Sequence, residues 1–173
     1  MNILLEDTRN QKNKHPNVHA WARENGVTII RTKLLVGDYT LPTNQSVIVD
    51  TKKDMQEVYG DIVQGHKRFK GELELAMKAG IKLIVLVEED DIIALPDVHY
   101  WKNPRRERWF RINAAHKAGK LKNVVIPKQP PVSSDDLLIK MCTMETRYGV
   151  EWAFCAKQDT GSRIWELLNE KGV

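Results

Sequence analysis

The segment GDYTLPTNQSVIVDTKK, residues 37–53, contains two predicted strands whose ends carry acidic residues. The first strand follows a Gly-Asp turn, and the second is the apolar run 47–49, which ends in Asp50. Because side chains alternate along a strand, Asp50 and Lys52 share a face and lie about 7 Å apart along the backbone. Asp38 approaches from the neighbouring strand. Two interpretations are open: these charged side chains are solvated strand ends, or they form a metal site for phosphodiester cleavage.

Strand and helix patterns alternate along the chain, which predicts an α/β fold with a central mixed β-sheet flanked by helices. The predicted strands are 2–5, 27–36, 39–41, 46–52, 82–89 and 150–155. The predicted helices are 16–25, with Asn13 as a candidate cap, 54–62, 66–79, 134–148 and 159–172. Short connections predict an antiparallel meander over residues 27–52, whereas helical connections predict parallel pairing of the later strands.

Composition bounds the class of protein. A length of 173 residues with 42% apolar content predicts a single domain, residues 1–173, with a core of its own. Cys142 and Cys155 fit neither a disulfide framework nor a zinc site, so both are expected to be reduced inside a cell. We see no signal-peptide pattern and no apolar run of about 18 residues, and therefore expect a cytoplasmic protein without a membrane partner. P-loop, dinucleotide-binding and nucleophile-elbow motifs are absent from the sequence.

The segment 99–131 contains the strongest basic cluster. Between residues 99 and 122 there are eight Lys or Arg residues and a single acidic residue, Glu107. This local excess is typical of a phosphate-backbone binder, although a solvated basic helix has the same composition. The candidate nucleic-acid-binding residues are Lys102, Arg105, Arg106, Arg108 and Arg111, and the other three are Lys117, Lys120 and Lys122. Trp101, Trp109 and Phe110 either stack on unpaired bases or cover a small satellite core.

Phosphodiester hydrolysis requires a divalent cation, carboxylate oxygens that hold it, and a positive group that orients the nucleophile or offsets developing charge. The candidate catalytic residues that meet this requirement are Asp38, Asp50 and Lys52. The peptide oxygen of Thr51 is a candidate for a further metal ligand. His15 and His19 also stand four residues apart, but they lie across a predicted helix start and are not expected to bind a metal.

Three motifs, DTR at 7–9, GDYTL at 37–41 and VIVDTKKD at 47–54, resemble in this order the nuclease domain of the XPF-type structure-specific endonucleases. That family belongs to the PD-(D/E)XK superfamily, so the resemblance implies a restriction-endonuclease-like fold. The family signature is Gly-Asp followed by Glu-Arg-Lys, where this chain has Asp50-Thr51-Lys52. The aspartate is a tolerated variant in the superfamily, whereas Thr51 departs from the family arginine. The segment 99–131 matches nothing in the family and is interpreted as an insertion in the nuclease domain.

The resemblance also implies a cofactor and roles for individual residues. The cofactor would be Mg²⁺ or Mn²⁺, and Lys52 would orient or activate the attacking water. The implied metal ligands are Asp7, Asp38 and Asp50, besides the peptide oxygen of Thr51. The accessory candidates are Arg9, Lys53, Arg68 and Glu72. Arg68 and Glu72 stand four residues apart on a predicted helix, where they either form a helical pair or reach into the site.

The sequence therefore favours a metal-dependent endonuclease that hydrolyses DNA at branched, flap or junction structures, with a role in DNA repair and recombination. Members of the family usually act as dimers, so the resemblance implies a homodimer or a partner protein. The alternative is a catalytically inactive nucleic-acid-binding module that keeps the nuclease-like fold. Thr51, as the departure from the signature, motivates this alternative.

Overall fold

A six-stranded mixed β-sheet with helices on both faces forms the body of the protein. The structure, a computed structural model, describes residues 2–10, 15–121 and 123–170. The strands are β1 (Asn2–Asp7), β2 (Val27–Thr32), β3 (Tyr39–Leu41), β4 (Asn44–Lys52), β5 (Lys82–Glu88) and β6 (Glu151–Cys155). The helices are α1 (Pro16–Glu24), α2 (Met55–Tyr59), α3 (His66–Lys78), α4 (Pro104–Lys117), α5 (Ser134–Tyr148) and α6 (Thr160–Glu170). The predicted cap Asn13, the basic residue Lys122 and the predicted end of the last helix lie outside the described residues.

The strand order across the sheet is β2-β1-β3-β4-β5-β6. β1 is parallel to β2, β3 is antiparallel to both β1 and β4, and β5 is parallel to β4 and β6. The predicted α/β class with a central mixed sheet is confirmed. The predicted meander over residues 27–52 is wrong for β2, because β1 lies between β2 and β3. α1 connects β1 to β2, and a helical connection returns the chain in the same direction, which gives parallel pairing.

β5 is the buried centre of the sheet. Its residues from Leu83 onward are all buried, as expected for a parallel strand covered on both faces. Val85 and Val87 pack with residues of α2, α3 and α5 on one face. Ile84 and Leu86 pack with residues of α1 and α6 on the other face. Because β4 pairs with β5 along its whole second half, the end of β4 lies at the rim of this core.

α4 carries no buried residue, unlike the helices that cover the sheet. Trp101 packs against the main core beside Tyr59, whereas Trp109 and Phe110 contact each other and are at least partly exposed. The three aromatic residues therefore do not form a satellite core, and that interpretation is wrong. The side chains that tie α4 to the following segment are Asn103, bonded to the Val132 carbonyl, Arg106, bonded to Pro131, and Trp109, bonded to Pro127. That residues 99–131 are an insertion in a single domain stays a prediction.

Of the helices in the described ranges, none is long and apolar enough to span a membrane.

Gly37 forms the turn that places Asp38 beside β4. Its φ is +64°, and a Cβ there would lie 2.6 Å from the Ile48 Cγ2 atom. Gly37→Ala is therefore expected to lower the free energy of unfolding by about 2–4 kcal/mol, because a left-handed backbone and an overpacked core both oppose the side chain. Urea unfolding followed by circular dichroism measures the change.

Gly149→Ala is the matched control for this change. The φ of Gly149 is +69°, but a Cβ there would have nothing within 4 Å. Only the backbone opposes the substitution, so a loss of about 1 kcal/mol is expected. Equal losses at the two glycines would contradict the packing role of Gly37.

Candidate active site

An open cleft of about 410 Å³ lies where β4 ends, between the turn before β3 and helix α3. Its acids come from five separate parts of the chain: the end of β1, the turn before β3, the end of β4, α2 and α3. β3 pairs with both β1 and β4, which brings the first three of these parts together. The sequence-predicted residues that line the cleft are Asp7, Arg9, Asp38, Asp50, Lys52, Arg68 and Glu72.

Thr51 holds Asp38 in place from the neighbouring strand. Its backbone N–H donates to Asp38 Oδ2 over 3.0 Å, and its hydroxyl donates to the same oxygen. The Thr51 hydroxyl oxygen also lies 2.9 Å from His15 Nε2. Because the single hydroxyl hydrogen goes to the carboxylate, the His15 ring is the donor to Thr51 Oγ1. The residue that departs from the family signature thus fixes the orientation of Asp38.

Beyond Thr51, His15 lies near a buried acid. Its Nδ1 lies 3.7 Å from Glu88 Oε1, which accepts a hydrogen bond from the Thr160 hydroxyl over 2.8 Å. Burial raises the pKa of Glu88, but the nearby His15 and the hydrogen bond from Thr160 outweigh burial and hold that pKa below its usual value. His19 Nε2 instead lies 3.2 Å from Glu6 Oε1, so the two histidines contact different acids. The role of His15 is not visible in the sequence, because it depends on contacts with residues far along the chain.

Lys52 is buried between two carboxylates, with 8% of its side chain exposed. Its Nζ lies 2.7 Å from Oδ2 of Asp50 and 2.9 Å from Oδ2 of Asp61. Arg68 donates to the other oxygen of Asp61 over 2.5 Å, and the Lys52 ammonium lies 5.4 Å from the centre of the Phe69 ring. Burial lowers the pKa of Lys52, but the two carboxylates outweigh burial and raise that pKa, so the side chain is an ammonium at neutral pH.

Asp61 is a site residue that sequence reasoning missed. The pattern predicts one helix over 54–62. In the structure α2 ends at Tyr59, and a π-helical turn, Gly60–Gln64, follows it directly. The Gly65 N–H closes this turn on the Gly60 carbonyl over 2.7 Å. Asp61 lies in this turn, and its buried side chain contacts Lys52.

The Asp50 carboxyl lies among other acids. Burial raises the pKa of Asp50 to about 7, Lys52 opposes this rise, and repulsion from Asp38 and Glu72 adds to it. All three acids line the cleft, which is why this repulsion acts on Asp50. A divalent cation would relieve it, and carboxylate oxygens are the ligands that such a cation prefers.

Magnesium fits the donors at the end of β4. Among residues 2–10, 15–121 and 123–170, no three Asp, Glu, His or Cys side chains stand together ready to hold one metal ion. Protein sites for Mg²⁺ commonly offer only one or two carboxylates, and water and substrate phosphate complete the shell. Asp38 and Asp50, which both line the cleft, are donors of that kind; Thr51 is not among the lining residues, and its peptide oxygen stays a predicted ligand.

Asp7 is bound to Arg9 rather than to the other acids. The Arg9 backbone N–H and Nε donate to Oδ1 of Asp7 over 2.6 and 2.9 Å, and Nη2 donates to Oδ2 over 2.7 Å. The Leu34 N–H also donates to Oδ2, over 2.9 Å. Burial raises the pKa of Asp7, but these hydrogen bonds outweigh burial and hold that pKa below its usual value. A ligand role for Asp7 stays a prediction, and it would require Arg9 to move.

Arg68 and Glu72 contact the site rather than each other. Arg68 pairs with Asp61. The Glu72 Oε1 atom accepts a hydrogen bond from the Gly37 N–H over 3.0 Å, which anchors the turn before Asp38 to α3. Of the two interpretations of this pair, the helical ion pair is therefore wrong.

A second groove, about 740 Å³ in volume, adjoins the cleft. It is lined by four basic side chains and by three acids, Asp54, Glu57 and Asp61, and is called the basic groove here. Arg9 and Arg68 line both the cleft and the basic groove, whereas Lys53 and Arg105 line the groove alone. The Arg105 guanidinium lies 5.4 Å from the Tyr59 ring centre, which places the start of α4 at the groove. The four basic side chains connect the cleft with α4.

The other predicted nucleic-acid-binding residues lie in different surroundings. Arg108 and Arg111 are exposed on α4. Arg106 donates to the Pro131 carbonyl and lies over the Phe110 ring, so it also holds α4 in place. Lys102 lines a separate depression that contains three acidic residues, Glu89, Asp91 and Asp97.

Thr51→Val removes the hydroxyl that joins Asp38 to His15 while the side-chain shape is kept. A buried carboxylate then loses one donor and the His15 ring loses its acceptor, so the free energy of unfolding is expected to fall by about 1–3 kcal/mol. Thr143→Val is the control, because the Thr143 hydroxyl is exposed on α5 and donates only to the Ile139 carbonyl over 2.7 Å. A change within about 0.5 kcal/mol is expected there. Urea unfolding measures both, and similar changes would argue against the role of Thr51.

The raised pKa of Asp50 predicts a pH dependence of stability. Asp50 titrates at about 7 in the folded chain and at its ordinary value of 3.8 in the unfolded chain. Between these two values the folded state binds more protons, so the contribution of Asp50 to stability falls as the pH rises through this range. Asp50→Asn removes the titration, and its melting temperature relative to the original chain is expected to increase between pH 5 and pH 8, by about 2–4 °C for each kcal/mol.

This comparison is made in EDTA, so that no cation occupies the cleft. Glu166→Gln serves as the control, because Glu166 is half exposed on α6 and pairs only with Arg163 on the same helix. A temperature difference for Asp50→Asn that stays constant or shrinks with pH would contradict the raised pKa.

Comparison with known proteins agrees with this geometry. The family model of the ERCC4 domain matches residues 7–164. Among solved structures, the fold is similar to XPF from Aeropyrum pernix in complex with DNA, with a TM-score of 0.61, 16% identity, and coverage of 99% of this chain and 65% of that one. A second structure of XPF from Aeropyrum pernix has a TM-score of 0.59, 17% identity, and coverage of 98% and 64%. The chain thus spans less than two thirds of the length of these proteins. No curated protein matches it.

These matches confirm the resemblance to XPF-type nuclease domains and the restriction-endonuclease-like architecture that it implies. The matched segment begins at Asp7 and ends within α6, so it contains the whole cleft and, apart from the second half of α6, the helices that cover the sheet. The protein belongs to the ERCC4 domain family.

Proposed function

We propose that the protein is a metal-dependent endonuclease that hydrolyses DNA phosphodiester bonds at branched, flap or junction structures. The observation that carries this proposal is the open cleft in which Asp38 and Asp50 lie beside the buried ammonium of Lys52. Membership of the ERCC4 domain family supports nuclease activity, and the similarity to an XPF–DNA complex supports DNA as the substrate.

Each residue of the cleft has a chemical role in this proposal. Asp38, Asp50 and the Thr51 peptide oxygen would hold Mg²⁺ or Mn²⁺, and Asp7 is a further candidate ligand. When bound, the ion would polarise the phosphate and lower the pKa of the attacking water. Lys52 would orient that water or offset the charge that develops on the phosphate. Thr51 and its partner His15 keep Asp38 oriented toward the cleft.

The basic groove would hold the DNA backbone on the side of the cleft that faces α4. Arg9 and Arg68 line the cleft and the groove together, so they are placed to contact phosphates near the scissile bond. Lys53 and Arg105 would contact phosphates farther along the strand, and the exposed arginines of α4 extend this path. Trp109 and Phe110 remain candidates for stacking on unpaired bases.

A homodimer or a partner protein, a cytoplasmic location and a role in DNA repair or recombination stay predictions. The inactive nucleic-acid-binding module is the second candidate function. The departure at Thr51 and the pairing of Asp7 with Arg9 favour it.

Cleavage of labelled DNA tests the proposal. Flap, splayed-arm, four-way-junction and linear duplex substrates are incubated with the protein, with and without Mg²⁺. We expect Mg²⁺-dependent cleavage that is faster on the branched substrates. Asp50→Ala and Lys52→Ala are expected to reduce the rate by at least about 10²-fold, because each removes a group that acts on the reacting phosphate or water. Glu166→Ala, an exposed change on α6, is expected to cleave like the original chain.

Asp50→Ala that cleaves as fast as the original chain would overturn the catalytic assignment. DNA binding without any cleavage in Mg²⁺ or Mn²⁺ would instead support the inactive module. The same preparations test the path along α4, because Arg108→Ala with Arg111→Ala is expected to reduce the slope of log affinity against log salt by about 2.

A further inference from the structure

The Lys52 ammonium faces two carboxylates, of which only Asp50 is a candidate cation ligand. Nζ lies 2.7 Å from Asp50 and 2.9 Å from Asp61, so the ammonium is shared almost equally. In the described part of the chain its other close contact is the ring of Phe69. Asp61 is therefore the carboxylate that stays with Lys52 when Asp50 turns to a cation.

The structure holds Asp61 rigidly in this position. Its side chain is buried, and the π-helical turn Gly60–Gln64 places it at the end of β4. Arg68 approaches from the solvent side, with 80% of its side chain exposed, and binds the Oδ1 atom. Oδ2 is left facing Lys52. Asp61 thus has one oxygen for each of two cationic side chains.

Ion pairs link the four charged side chains of this cluster. Two carboxylates, Asp50 and Asp61, face two cations, Lys52 and Arg68. A divalent ion at Asp50 would be repelled by an ammonium only a few ångströms away, and unit charges about 4 Å apart at a protein surface interact by about 4 kcal/mol. A carboxylate that keeps the ammonium on its far side reduces this repulsion.

We propose that Asp61 is a positioning residue that holds Lys52 when a divalent cation takes Asp50, and that it thereby raises the affinity of the cleft for the cation. The inference rests on the cation site of the proposed function, and it adds a residue that determines how tightly this site binds the cation. Asp61 does not bind the cation itself; it acts through Lys52.

Titration calorimetry with Mn²⁺, on the whole chain without DNA, tests this role. Asp61→Asn is expected to bind Mn²⁺ at least about fivefold more weakly, because Lys52 then remains on Asp50. Glu74→Gln is the control, since Glu74 is an acid of α3 that pairs with Lys70 and does not line the cleft; its affinity is expected to stay within about twofold. Lys52→Met removes the competing ammonium. In that background Asp61→Asn is expected to change the affinity by less than about twofold.

Two results would overturn the role of Asp61 alone: an equal loss in Asp61→Asn and Glu74→Gln, or an undiminished effect of Asp61→Asn in the Lys52→Met background. The first would mean that only net charge matters, and the second that Asp61 acts without Lys52. Failure of the proposed cation site is distinguishable, because the original chain would then bind no Mn²⁺, or would bind it as tightly after Asp38→Ala. That outcome overturns both proposals.

Arg68→Ala provides a second variant in case Asp61→Asn does not fold, which circular dichroism shows. Without Arg68, Asp61 contacts Lys52 alone and holds it more strongly away from Asp50. Mn²⁺ is therefore expected to bind at least about twofold more tightly. This gain is expected to disappear in the Lys52→Met background. An equal gain with and without Lys52 would overturn the proposal.

Discussion

The buried ammonium of Lys52 is the constraint on which the rest of the site depends. Removing a charge from water costs several kcal/mol unless charged partners compensate, and only 8% of this side chain is exposed. Asp50 provides one partner, because strand alternation puts it on the same face two residues earlier. Asp61 provides the other from the π-helical turn after α2. A lysine this well held keeps its charge and its position, which are the two properties that the proposed role of Lys52 in phosphodiester hydrolysis requires.

The triplet Asp50-Thr51-Lys52 directs its side chains to both faces of the sheet. The two charged residues face the side covered by α3, where Lys52 lies over Phe69. Thr51 points to the side covered by α1, where it meets His15, and from there it fixes the Asp38 carboxylate. The family arginine is therefore replaced by a short side chain with a definite role. Because β4 is held against the buried strand β5, these three residues have little freedom to change their relative positions.

Much of the fold and the core of the site could be predicted from the sequence, because both depend on local periodicity. The apolar runs predict the strands, and alternation places Asp50 beside Lys52. The position of β1 between β2 and β3 could not be predicted, since pairing is decided by packing of distant segments. Asp61 and His15 could not be predicted for the same reason: the first depends on its contact with Lys52, and the second on a hydrogen bond across 36 residues. Glu72 was singled out by spacing, but its partner Gly37 emerges only in the structure.

The central claim is that Asp38 and Asp50 hold one divalent cation while Lys52 stays with Asp61. A crystal structure with Mn²⁺, with anomalous diffraction at the manganese edge, tests it most directly. The account predicts one anomalous peak within about 2.0–2.6 Å of oxygens from both aspartates, with Lys52 Nζ still in contact with Asp61. A peak that lies away from these two carboxylates at saturating Mn²⁺, or no peak at all, would contradict it.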